Sequence, residues 1–352
     1  MPLPLPHRTH CLLTVVLFAC IGSFAPAQSA GAPSPFALSP SSAMPSDTSP
    51  SDTSHEQWDK LALKDNNLHS DPPIAGQTDT FPGFTRELVR VKWRSGDPID
   101  LYIVRPAGVA RPPVILYMYG YPREAVRFLD PEFCRTVTRN GFAAVGFSSV
   151  LTGQRYHDVP MKLWFVSQLQ QSLAGTAHDL QMTINYLEQR GDFDTSRIGV
   201  FGEGSGATIA LLAASVDPRI GAVDLLNPWG DWSGWLRNSR IVPESERPVY
   251  LTPQFLASVA PFDSVSVLPA LHSGTALRLQ QTLWISDATP AASRDRIAAA
   301  LPPSAVLVQY KDEKDYLEKA GRNGKMLDWL TGILSQPHPI AGLANSGELR
   351  KP

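Results

Sequence analysis

The residues Ile198–Ala207 have the arrangement that surrounds a serine nucleophile, but the serine itself is missing. An apolar run, Ile198–Phe201, leads into a glycine-rich turn and then into a predicted helix. A G-x-S-x-G turn between a strand and a helix exposes a serine oxygen that attacks carbonyl groups. In this chain the turn is Gly202–Gly206, called the elbow below; its central residue is Gly204, and the nearest hydroxyl belongs to Ser205. The pattern indicates a site built for acyl transfer that has lost its nucleophile.

Alternating strands and helices are predicted to position the elbow. Apolar runs typical of strands occur at Val114–Met118, Phe142–Phe147, Ile198–Phe201, Ile220–Leu226, Thr282–Ile285 and Ala305–Gln309. Helical spacing of apolar residues occurs at Leu173–Leu187, Ala207–Ser215, 292–300 and 317–335. Because crossovers between parallel strands are right-handed, this order predicts an α/β fold. We expect a doubly wound, mostly parallel sheet of about eight strands with helices on both faces.

An antiparallel hairpin is predicted before the parallel strands. Glu87–Trp93 alternates between apolar and polar residues, a turn cluster follows, and Ile99–Val104 returns. The folded domain is expected to cover residues 84–336. Cys134, which lies between Glu132-Phe133 and Thr136-Val137, is predicted to face the core from a helix.

A segment rich in Trp, Pro and Ser, residues 228–270, interrupts the alternation between two predicted strands. We predict an inserted lid there. Its tryptophans, Trp229, Trp232 and Trp235, could stack on a ligand or cover a crevice, or they could fill the core of the insertion. The sequence leaves both alternatives open.

The two ends of the chain differ from the predicted domain. Residues 1–27 combine a weakly basic start, a short apolar run and a small-residue cleavage site, which predicts a signal peptide and export to the periplasm or the medium. A lipoprotein anchored through Cys20 is the weaker alternative, because Phe18 is bulky for the lipidation motif. Residues 28–83 are predicted to be a disordered leader, because they are rich in Pro and Ser with few apolar residues, and 337–352 a tail.

Composition and charge limit the possible partners. The chain of 352 residues has 31 basic and 33 acidic residues, a formal net charge of −2, and no long run of like charges. Nothing in this balance favours nucleic acid, and no membrane span is predicted because the N-terminal apolar run is too short. A small-molecule or peptide ligand remains, and the oligomeric state is open. No spacing of histidines and carboxylates matches a metal site, and no cofactor is expected.

These features together resemble the α/β-hydrolase family, in its prolyl-oligopeptidase or dienelactone-hydrolase-like branch. Asp194–Gly202 is similar to the Asp-x-x-Arg lead into the nucleophile strand, and the elbow is similar to the nucleophile turn. Tyr119-Gly120-Tyr121-Pro122 resembles the family's oxyanion loop. The resemblance implies a pocket formed by Tyr119, Gly120, Tyr121 and the backbone amide of Ser205.

The family's chemistry needs a serine, an acid and a histidine in that chain order. Gly204 stands at the serine position and Thr289 at the acid position, while Asp287 lies two residues early. After the last predicted strand Lys314 is nearest to the expected base, and no histidine follows until His338 in the tail. All three positions therefore lack the required group.

Three residues are candidates for a displaced triad. Ser205 could act as nucleophile only if the elbow shifted by one residue, which would force Glu203 into a position where strand and helix pack closely. Asp287 and His157 are the corresponding fallback acid and base. We therefore expect a hydrolase-like pseudoenzyme that binds a ligand or a protein partner. The alternative is an active serine esterase or peptidase that uses Ser205.

Overall fold

A computed structural model describes residues 69–93, 98–120, 125–148, 169–284, 289–322 and 324–336. The predicted signal peptide, the predicted leader up to residue 68 and the predicted tail 337–352 lie outside these residues, so these predictions remain untested. Tyr121, His157 and Asp287 also lie outside them.

Nine strands within the described residues form one sheet, with the order β1-β2-β3-β5-β4-β6-β7-β8-β9. They are β1 Ile74–Phe81, β2 Phe84–Val91, β3 Ile99–Pro106, β4 Pro113–Met118, β5 Ala143–Gly146, β6 Asp194–Glu203, β7 Ile220–Leu226, β8 Ala276–Thr282 and β9 Val306–Tyr310. The strands from β5 to β9 along the sheet pair in parallel, whereas β1, β2 and β3 add antiparallel partners at one edge. The prediction of a mostly parallel α/β sheet is confirmed.

Helices cover both faces of this sheet, as predicted. The α-helices described are α1 Pro131–Thr138, α2 Leu169–Arg190, α3 Ser205–Val216, α4 Trp232–Asn238, α5 Arg247–Tyr250, α6 Pro253–Val259, α7 Ser264–Val267, α8 Ala291–Ala299, α9 Glu313–Tyr316 and α10 Asp328–Leu334. Alternate residues of β4 point into two separate apolar clusters, one with α2 and α3 and the other with α1 and α10. Cys134 on α1 is fully buried, as predicted. No described helix is both long and apolar enough to cross a bilayer.

The predicted leader extends too far, because β1 lies inside it. Residues 74–81 pair with β2 in antiparallel register, the ring of Phe81 stacks on that of Phe84 at 4.8 Å, and Asp79 forms an ion pair with Arg86 at 2.6 Å. Most of its side chains are exposed, so the strand lacks the apolar pattern that reveals buried strands. The sheet consequently has nine strands rather than about eight.

The prediction of a strand at Thr282–Ile285 is wrong, because the structure places this strand, β8, at Ala276–Thr282. The sequence did not reveal β8 because this strand contains polar residues. Arg278 is nevertheless buried, because it pairs with Asp224 of β7 at 2.6 Å and stacks on Trp329. Gln280 also donates a hydrogen bond to Asp224 at 2.8 Å. Buried polar groups that satisfy one another across strands look like exposed residues in a single sequence.

The insertion at 228–270 forms part of the fold between β7 and β8. It contains the short helices α4 to α7 and two 3₁₀ turns, Ala260–Phe262 and Leu268–Ala270. Asp263 fixes the start of α4 by accepting hydrogen bonds from the backbone N–H groups of Asp231 and Trp232, at 2.7 and 2.9 Å.

Candidate functional site

The elbow joins β6 to α3 through a backbone conformation that favours glycine. Gly204 has φ +60° and ψ −123°, outside the regions that residues with a side chain normally adopt. Its N–H donates a hydrogen bond to the Leu226 carbonyl oxygen of the neighbouring strand at 2.9 Å. A sharp, strained turn of this kind is the setting in which a nucleophile is exposed above an α/β sheet.

The two outer glycines of the elbow are required by packing. A Cβ atom on Gly202 would lie 2.4 Å from Cα of Ala207, and one on Gly206 would lie 2.0 Å from the Met118 carbonyl oxygen. On Gly204, by contrast, a Cβ atom would come no closer than 3.7 Å to Cα of Gly120 and Nε1 of Trp229. The elbow therefore has room for a side chain at the central position that lacks one.

Ser205 does not occupy that room. It is the first residue of α3, and it is fully buried. A substrate carbonyl must reach a nucleophilic oxygen at close range, and a residue with no exposed surface does not offer one. The geometry gives no support to Ser205 as a displaced nucleophile.

The predicted oxyanion loop begins beside the elbow. Gly120 lies so close to β6 that a Cβ atom on it would come within 2.9 Å of the Glu203 carbonyl oxygen. The Tyr119 ring before it is buried and packs against the rings of Phe133 and Phe201 at 5.8 and 5.6 Å. Burial raises the pKa of the Tyr119 phenol well above its ordinary value, so this hydroxyl stays protonated. Tyr121 lies outside the described residues.

The acid position changes with the corrected strand. Because β8 ends at Thr282, the residues directly after the strand are 283–288, and Thr289 lies beyond them. Thr289 is buried, and its hydroxyl donates to the carbonyl oxygens of Asn227 and Pro228 at 3.5 and 3.4 Å. Thr289 therefore holds the loop after β7.

The base position is filled by an exposed lysine. Lys314 on α9 has 84% of its side chain exposed and forms a long ion pair with Glu318 at 3.9 Å. No histidine occurs among the described residues after β9. The Lys314 side chain therefore faces solvent.

The tryptophans of the insertion form part of the core. Trp229, Trp232 and Trp235 are each 2% exposed or less, and the ring of Trp235 lies 4.9 Å from that of Trp229 and 5.6 Å from that of Trp232. This packing favours the core-filling alternative for Trp232 and Trp235. Trp229 differs, because its Nε1 atom borders the elbow.

The Trp229 backbone is fixed from two sides. Its carbonyl oxygen accepts hydrogen bonds from Thr208 of α3 at 2.9 Å and from Ser264 at 2.5 Å, and its N–H donates to the Thr208 hydroxyl at 2.9 Å. Asn227 and Asp231 on either side have positive φ angles, which Asn and Asp tolerate better than most residues. The loop thus holds an indole beside the position that a nucleophile would occupy.

Three polar residues near the elbow were not predicted as site residues. Arg127 lies over the Tyr119 ring, with Cζ 4.4 Å from its centre, and its Nη2 is 3.4 Å from Oε2 of Glu203. Tyr316 lies close enough to Arg127 and Glu203 to interact with both charges, and burial raises the pKa of its phenol. Arg127 is separated from Glu203 by 76 positions, so only the tertiary fold shows that the two are neighbours.

No group of three His, Cys, Asp or Glu side chains within the described ranges is placed to share a metal ion.

Comparisons with known proteins agree with this geometry. Neither a protein-family model nor a curated protein sequence matches the chain. Acetyl xylan esterase 1 from Thermoanaerobacterium sp. JW/SL YS485 is similar in structure, with a TM-score of 0.57 and 12% identity over 72% of this chain and 86% of the esterase. The uncomplexed acylaminoacyl peptidase of Pyrococcus horikoshii gives a TM-score of 0.57 and 14% identity over 73% of this chain, but over only 43% of the peptidase.

A third solved structure, a 2,6-dihydroxy-pseudo-oxynicotine hydrolase, gives a TM-score of 0.52 and 19% identity over 71% of this chain and 68% of the hydrolase. At such identities the similarity establishes architecture and leaves activity open. The sheet order, the elbow conformation and these neighbours together show that the chain has the α/β-hydrolase fold.

Proposed function

We propose that this protein is a non-catalytic member of the α/β-hydrolase superfamily that binds a small-molecule or peptide ligand at the elbow. One observation carries the proposal: the elbow keeps its strained backbone and its open central position, yet Gly204 supplies no oxygen. Without a nucleophile at this position no acyl-enzyme can form there.

The other positions support the same proposal. Ser205 is buried and Lys314 faces solvent. In a triad enzyme, loss of the nucleophile or the base alone costs on the order of a millionfold in turnover. A preserved elbow without these groups is better suited to binding than to turnover.

Export is a separate part of the proposal, and it is supported by the residue pattern of the first 27 positions. N-terminal sequencing of the protein recovered from a bacterial periplasm tests it. We expect a mature chain that begins after Ala27; an uncleaved chain in the cytoplasm would contradict export.

Turnover and ligand binding together test the proposed function. The full chain and its Ser205→Ala variant are assayed with nitrophenyl acetate, nitrophenyl butyrate and an aminoacyl nitroanilide. We expect equal rates for both proteins, close to the rate in buffer, and an increase in melting temperature with at least one compound of a ligand panel. Hydrolysis by the wild type that Ser205→Ala abolishes would overturn the proposal in favour of an active esterase or peptidase.

A further inference from the structure

The 3₁₀ helix Val126–Leu129 is fixed firmly to the body of the domain. Phe128 is fully buried in the apolar cluster beneath it. Arg86 of β2 donates from Nη1 to the carbonyl oxygens of Phe128 and Leu129, at 2.9 and 3.0 Å. These contacts determine where the backbone of Arg127 lies.

The guanidinium of Arg127 lies over an aromatic ring. Its Cζ lies 4.4 Å from the centre of the Tyr119 ring, which is itself only 4% exposed and packed among other rings. A guanidinium that stacks on an aromatic ring keeps its N–H edge available in the plane of the group. Little rotamer entropy is then lost when that edge binds an acceptor.

The acceptor that the described residues supply to Arg127 is a poor one. Arg127 Nη2 lies 3.4 Å from Glu203 Oε2, which is long for a charge-assisted hydrogen bond. Half of the Arg127 side chain and 37% of the Glu203 side chain are exposed. Arginine has five N–H donors, so this contact uses a small part of its capacity. Glu203 belongs to the elbow and directly precedes Gly204, so this contact places the guanidinium of Arg127 beside the elbow.

We propose that Arg127 binds the carboxylate of a small organic acid at the elbow. This inference rests on the proposed function and names the chemical class of its ligand. A planar carboxylate can accept two parallel hydrogen bonds from a guanidinium edge, which the long contact with Glu203 within the described residues does not achieve. Glu203 is then an internal competitor that the ligand displaces from Arg127.

Matched acids and amides separate this charge recognition from general affinity for apolar groups. The full chain is titrated near neutral pH with acetate and acetamide, hexanoate and hexanamide, and benzoate and benzamide, with saturation-transfer NMR as the readout. We expect each acid that binds to do so about tenfold more tightly than its amide. Arg127→Gln removes this preference, and Arg127→Lys keeps only part of it, because a lysine retains the charge but not the paired donors.

A variant with the opposite expected sign makes the test specific. Glu203→Gln removes the internal competitor, so acids should bind about two- to fivefold more tightly, as the loss of a partly exposed ion pair allows. Arg135→Gln is the matched control, because Arg135 pairs with Glu132 on the surface of α1, and it should leave the preference unchanged. Melting temperatures of all variants are measured so that an unfolded variant is recognised.

Several results would overturn the inference: no acid binds, amides bind as well as acids, the preference survives Arg127→Gln in a folded protein, or Glu203→Gln weakens the binding of acids. A neutral ligand that binds at the elbow independently of Arg127 would remove this inference and leave the proposed function intact. Turnover that depends on Ser205 would remove the proposed function whatever Arg127 does.

Discussion

Gly206 and Met118 approach each other so closely that a Cβ atom on the glycine would lie 2.0 Å from the Met118 carbonyl oxygen. Gly202 is also confined, because a Cβ atom on it would lie 2.4 Å from Cα of Ala207. A side chain at Gly204, between them, would have free space. Packing therefore requires glycine at the two outer positions, whereas the backbone conformation and the function of the site account for the glycine at the central position.

The first prediction concerns this close approach. Gly206→Ala forces a methyl group against backbone atoms that cannot rotate away, so the free energy of unfolding should fall by more than about 3 kcal/mol. Gly332→Ala is the control, because a Cβ atom on this helical glycine meets nothing within 4 Å. It should raise stability by about 0.5–1 kcal/mol. Urea unfolding measures both; equal effects would contradict the packing account of the elbow.

The second prediction concerns the central position. Gly204→Ser has room for its side chain, but the φ of +60° should cost about 1–3 kcal/mol of unfolding free energy. The variant should fold, and its rate with nitrophenyl acetate should stay at the wild-type level, close to the rate in buffer, because Lys314 faces solvent where a histidine base is needed. Stopped-assay rates and urea unfolding measure the two effects. High esterase activity would show that a base is present after all.

The elbow could be predicted from the sequence because its signal is local. The glycine spacing and the apolar run before it lie within ten residues, and the structure places them as a strand and a helix start, β6 and α3. The runs that became β4 and β7 were equally visible, because parallel strands covered on both faces are mostly apolar.

The positions that depend on β8 could not be predicted in the same way. Arg278 and Gln280 are buried, but only the partner Asp224, more than fifty positions away, makes that burial acceptable. The strand was therefore predicted too late in the sequence, at the more apolar Leu283 and Trp284. The expected acid position was displaced by the same error. Arg127 was missed for the same reason, since its neighbours Tyr119 and Glu203 meet it only in the folded chain.

The third prediction concerns the buried ion pair between Arg278 of β8 and Asp224 of β7. Arg278→Met leaves the carboxylate of Asp224 buried without its cation, so the free energy of unfolding should fall by about 3–5 kcal/mol. Arg90→Gln breaks an exposed pair with Asp100 and should cost no more than about 1 kcal/mol. Denaturant unfolding compares the two variants. Similar small losses would mean that the buried pair does not hold β7 and β8 together.

The fourth prediction concerns β1 and acid pH. Hydrogen bonds from Arg86 and Gln77 hold the pKa of the Asp79 carboxyl below its ordinary value. A carboxyl whose pKa is lower in the folded state stabilises the protein above its unfolded pKa, and the effect is lost as the pH falls through the folded pKa.

Asp79→Asn removes this contribution. The stability difference between wild type and Asp79→Asn should therefore be constant above about pH 5 and shrink as the solution becomes more acidic. Urea unfolding at a series of pH values measures it. A difference that persists unchanged into strong acid would show that the ion pair with Arg86 is not its source.

The most direct test of the missing nucleophile is intact-protein mass spectrometry after incubation with a fluorophosphonate, which forms a covalent bond with activated serines. With an active serine esterase as the positive control, we predict that the mass of this protein does not change. A single adduct that maps to Ser205 and is absent from Ser205→Ala would contradict the account.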